Sequence, residues 1–70
     1  MSDLHGRLLA AHDRSDKRSL VTLYAEAAGA AGSEDARAFF LTQAYIFGLD
    51  TGHPATPELR TRLVGMGRES

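Results

Sequence analysis

Three histidines, His5, His12 and His53, are the side chains best suited to hold a metal or move a proton near neutral pH. His5 and His12 are seven residues apart, so on a helix they share a face. At about 1.5 Å rise per residue they stand about 10 Å apart, too far for one ion. Leu9 occupies the position that would complete a close pair with His5. His53 precedes Pro54 and is expected to shape a turn. The histidines read as surface residues that confer mild pH dependence, and neither a metal nor a cofactor is expected.

Among the carboxylates, Glu34, Asp35 and Glu58 fall in the first turns of expected helices, where favourable interaction with the helix dipole accounts for them. Glu26 lies amid apolar neighbours and is expected to pair with Arg14, Lys17 or Arg18, or to point to water. General acid–base catalysis needs a second group and a pocket, and nothing supplies them. There is no cysteine and no Gly-x-Ser-x-Gly nucleophile turn. The glycines form neither a phosphate loop nor a dinucleotide fingerprint. The residues therefore point away from an enzyme. Arg14, Lys17 and Arg18 make a small basic patch, diluted by Asp13 and Asp16. A small nucleic-acid-binding or transcription-regulating protein is the alternative function, but a recognition helix must offer polar side chains to base edges. The helix in that place offers phenylalanines instead.

That helix organises the chain. From Ala36 to Leu49 the sequence has no strand alternation and is too long for one buried strand, so it reads as a helix. It carries two apolar stripes: Ala36, Phe39, Phe40 and Phe47 on one side, and Ala38, Leu41, Tyr45 and Leu49 on the other. A helix apolar nearly all round must be covered nearly all round, by the chain or by a partner. With 70 residues and no disulfide, a single core supplies only about 3–5 kcal/mol. Tyr45 with Leu41 and Leu49, or Phe39 with Ile46, is expected to remain uncovered and to mark an interface.

The rest follows in order. Ser2 caps a first helix (about 3–13) with Asp3 in its first turn, and Leu4, Leu8 and Ala11 form its stripe. Ser15 or Asp16 caps a second (about 16–31). Its main stripe is Leu20, Leu23, Tyr24, Ala27 and Ala31, and a second stripe of small residues is Val21, Ala25, Ala28 and Gly29. Gly32 is placed for a left-handed C-cap and Ser33 for the next N-cap. A connection of about two residues then forces an antiparallel αα-hairpin with the third helix (about 34–50). Gly48 reads as a close-packing point inside that helix, and Gly52 followed by His53-Pro54 ends it. Thr56-Pro57-Glu58 starts a fourth helix (about 57–66) with Leu59, Leu63 and Met66 inward and Arg60, Arg62 and Arg68 outward.

The hairpin resembles a tetratricopeptide repeat. Leu20 stands at the first large position, Leu23 at the leucine, Ala36 at the alanine and Phe40 at the aromatic. Tyr24 stands where that family has glycine, Ala27 where it has tyrosine, and Pro54 comes late. The resemblance covers roughly half the chain and involves one repeat, where the family stacks three or more. It implies a protein-interaction module whose ligand surface is Arg18, Val21, Ala25, Ala28 and Gly29.

The expectation is thus one all-α domain, 1–70, with a central hairpin flanked by two shorter helices. Its task would be protein–protein interaction, by self-association as a homo-oligomer or by docking a helical partner. The candidate contact residues are Arg18, Val21, Ala25, Ala28, Gly29, Leu41, Tyr45 and Leu49. A net charge of −1 gives no long-range pull toward nucleic acid or anionic membrane. The longest apolar run is far short of the roughly 20 residues of a membrane span. The first residues lack a signal-peptide core, which with one lysine against seven arginines points to a bacterial cytoplasmic protein.

Overall fold

The computed structural model describes residues 3–67. It is an all-α bundle of four helices in chain order: α1 (Leu4–Asp13), α2 (Lys17–Gly29), α3 (Glu34–Thr51) and α4 (Thr56–Gly65). Each helix packs on the next, α1 on α2, α2 on α3 and α3 on α4, with the closest association between α2 and α3. The Cα extents are 31 × 28 × 13 Å. A body 13 Å through its Cα atoms is about two packed helices thick, since helix axes pack about 8–10 Å apart and the Cα atoms of one helix span about 5 Å. Such a slab covers its central helix from the flanks and leaves part of it to solvent or a partner.

Local chemistry sets most helix boundaries. Asp16 caps α2 by accepting the Ser19 amide, and its other oxygen accepts the Ser19 hydroxyl at 2.7 Å. Ser33 caps α3 by accepting the Ala36 amide at 3.1 Å. Gly52 ends α3 in the left-handed conformation, φ 66°. His53 shapes the following turn, its Nδ1 accepting the Ala55 amide at 3.0 Å. Three boundaries differ from expectation. Asp3 stands at the N-cap position of α1 rather than in its first turn, and its side chain makes no cap bond. α2 stops at Gly29 on Ala30, and Gly32 does not adopt a positive φ, so the hairpin link is longer than two residues. Thr56 is the first residue of α4 rather than its cap. Its hydroxyl donates to the His53 carbonyl at 2.7 Å, bracing the turn instead of the helix end. The Ser2 cap and the outward Arg68 lie outside the described residues.

The core is where α2, α3 and α4 converge. Val21 and Ala28, Leu41 and Ala44, and Leu59 and Leu63 form one buried cluster, with Tyr24, Phe40, Phe47 and Met66 packed against it. An aromatic group ties in α1. Tyr24 stacks on Phe47 (5.9 Å, 11°) and on Phe40 (6.2 Å, 30°). His12 meets Tyr24 and Phe47 edge-on, with its Nε2 2.9 Å from the Tyr24 hydroxyl. Glu26 pairs with Arg7 at 2.6 Å and not with Arg14, Lys17 or Arg18. The antiparallel course of α1 brings Arg7 alongside the second half of α2, a juxtaposition that sequence separation hides.

The two bonds from Ser19 hold the Asp16 carboxyl below the ordinary aspartate value of 3.8, and Arg14 at 3.7 Å adds to the effect. A carboxylate depressed in the folded state contributes stability above its unfolded pKa and loses it as pH falls through the lower folded value. Asp16→Asn keeps an acceptor oxygen and removes the charge. The urea midpoint of this variant is expected to fall less steeply than the parent's between neutral pH and pH values below that of a free aspartate. Parallel pH profiles for the two proteins would count against this assignment.

Candidate functional site

The side of α3 facing the core carries Leu41, Ala44 and Gly48. At about 100° per residue, the opposite side carries Phe39 and Ile46, with Leu49 at its edge. Phe39 is 57% exposed, Ile46 51% and Leu49 60%. Among the described residues α3 alone leaves more than one large apolar side chain exposed, with Leu9 of α1 and Val64 of α4 standing singly. The three on α3 lie between positions 39 and 49, with half-buried Thr42 and Gln43 between them. The cause is the even distribution of apolar residues round α3. Flanking helices can bury two sides of it, and the third is left over.

Polar groups frame the stripe unevenly. Glu34 and Asp35 occupy the first turn of α3. At the other end, an open groove of about 420 Å³ runs between α3 and the start of α4, lined by Tyr45, Leu49, His53, Pro57 and Arg60 among others. Because His53 uses Nδ1 to accept the Ala55 amide, its Nε2 carries the ring proton and is a donor. Arg60 is exposed and makes no hydrogen bond or ion pair among the described residues. A second groove of about 420 Å³ lies between α2, α3 and the end of α4, with Ala28, Leu41 and Met66 forming its apolar part and Arg37 and Arg62 beside them. Arg62 there donates to Glu58 at 3.1 Å.

The expected contact residues divide into three groups. Val21, Ala28 and Leu41 are buried in the α2–α3–α4 core. Ala25 and Tyr45 are half-buried. Arg18, Gly29 and Leu49 are exposed. Tyr45 and Leu49 come together in the groove beside α4, while Ala28, Gly29 and Leu41 line the other groove. Of the α2 surface implied by the tetratricopeptide resemblance, Val21 and Ala28 belong to the core cluster that also holds Leu59 and Leu63, while Ala25 is half-buried and Arg18 and Gly29 are exposed. Phe39 with Ile46, one of the two sets expected to stay open, is open, and of the other set Leu49 is exposed, Tyr45 half-buried and Leu41 buried. The arginines of the grooves, Arg37, Arg60 and Arg62, carried no signal beyond that of outward charges.

The remaining constellations are sparse. Lys17 of the basic patch is bound to Asp50 at 2.6 Å, and Arg14 lies 3.7 Å from Asp16. Among the described residues no three His, Cys, Asp or Glu side chains are placed to share a metal ion. No helix among them is long and apolar enough to cross a membrane. No protein-family model matches the chain, and no curated protein or solved structure matches it significantly.

Proposed function

We propose that this protein is a small, non-catalytic interaction module that self-associates through the uncovered side of α3. The observation that carries the reading is the stripe of Phe39, Ile46 and Leu49, each more than half exposed on one face of the central helix. Contiguous apolar surface of this kind marks an interface in a soluble protein. A second copy fits it because an apolar face with an acidic first turn at one end and Arg60 at the other suits its own antiparallel image.

Association is read from the mass in solution. The mass is expected to rise from 7.5 kDa toward twice that value as concentration increases from about 10 μM to about 1 mM, the range of a weak dimer. Ile46→Asp places a charge at the centre of the stripe. It should hold the protein at the monomer mass while leaving its helical circular dichroism unchanged, because Ile46 is already half exposed. A parent protein that stays monomeric over the whole range would refute self-association.

A further inference from the structure

We propose that the dimer is reciprocal, with the exposed α3 stripes packed antiparallel and Glu34 of each copy meeting Arg60 at the rim of the groove beside the other copy's α4. This rests on the self-association reading and specifies its geometry. The groove is apolar along Tyr45, Leu49 and Pro57, and it offers two donors, the Arg60 guanidinium and the His53 Nε2–H, beside Thr56, whose hydroxyl proton is taken by the His53 carbonyl. The start of α4 adds the positive end of a helix dipole, and Gly52 keeps the floor low. The rim of the groove therefore suits an anionic side chain. The first turn of α3 offers one in exposed Glu34, while Phe39, about 140° away round the helix, belongs to the stripe itself.

Geometry links the two. Phe39 and Leu49 lie about 15 Å apart along α3. An antiparallel pairing that sets Phe39 of one copy against Leu49 of the second puts the first turn of α3 against the second copy's His53, in the same register. The twofold axis then passes near the middle of the stripe, so both ends are satisfied at once. Sidedness agrees as well. Glu34 lies in line with Tyr45, about 20° away round the helix, on the flank where α4 packs. A twofold axis between antiparallel helices keeps that flank on the same side in both copies, so Glu34 of one approaches Arg60 of the other. Area points the same way. The three exposed side chains offer on the order of 300–400 Å², against roughly 800 Å² per partner in a standard interface. The rim of the groove is the adjoining surface able to make up the difference.

The test is a charge exchange between two variants, Arg60→Glu and Glu34→Arg, at exposed positions. Each alone sets like charges together twice across the axis, and its dimerisation is expected to weaken about tenfold or more. Mixed in equal amounts, the two variants carry opposite charges at both contacts. Native mass spectrometry should then find a dimer holding one chain of each, at a yield near the parent's. Circular dichroism of each variant checks that the helices are intact. If the parent dimerises but Arg60→Glu dimerises equally well, or the mixture fails to pair, this register is overturned while self-association stands. A parent monomeric at every concentration overturns both.

Discussion

Leu41→Ala is expected to leave most molecules unfolded at room temperature. Leu41 is 2% exposed and sits where α2, α3 and α4 converge, with Val21, Ala28, Ala44, Leu59 and Leu63 in the same cluster. Truncating a buried leucine costs about 2–5 kcal/mol, the larger values arising where the surroundings cannot collapse into the space. Ala28 and Ala44 are already small, so their side chains have nothing to extend into the cavity. A chain of this size has roughly 3–5 kcal/mol from its core to lose. The helical circular dichroism at 222 nm should fall sharply, and the urea transition should lose its folded baseline. A loss of under about 1 kcal/mol would mean that Leu41 lies outside the core and is free to meet a partner.

Gly48→Ala is expected to destabilise the protein by about 1–2 kcal/mol, the reverse of what helix propensity predicts. In an exposed helix the same change gains about 1 kcal/mol. Here a β-carbon at position 48 would run into the Thr56 hydroxyl oxygen, with Thr56 Cβ at 3.4 Å and Cγ2 at 3.6 Å. Threonine is stiff about its first side-chain torsion. Its hydroxyl is also held by the His53 carbonyl at 2.7 Å. To admit the methyl, Thr56 must rotate and lose that bond, or α4 must shift away from α3. Overpacking of this kind costs about 1–3 kcal/mol, enough to outweigh the propensity gain. The partner is identified by a double-mutant cycle. In a Thr56→Ala background, where the obstructing oxygen is gone, Gly48→Ala should become neutral or stabilising by up to about 1 kcal/mol. Equal losses in both backgrounds, measured by urea denaturation, would place the obstruction elsewhere.

What the sequence made legible was whatever chemistry acts within a few residues. Asp16 and Ser33 cap helices because a side-chain oxygen one turn back meets an unpaired amide. Gly52 ends α3 because a left-handed residue is needed where the helix stops. Gly32 shows the limit of that reasoning. A glycine in a plausible place was not used, because Ala30 already ended α2 in an ordinary conformation. Arg7 with Glu26 and Lys17 with Asp50 are nineteen and thirty-three residues apart, so no helical spacing could propose them.

By itself, the sequence determined that this is an all-α chain built on an antiparallel hairpin, and that α3 has more apolar surface than its neighbours can cover. Both follow from periodicity, capping and chain length. Which surface is left over was decided only by the tertiary structure. α3 is apolar nearly all round, so its pattern names no inward side. The choice fell to the packing of α2 and α4 against α3, which buried Leu41, Ala44 and Gly48 and left Phe39, Ile46 and Leu49 in the open. Local pattern specifies a helix that has an inside and an outside. For a helix without them, only its neighbours assign them.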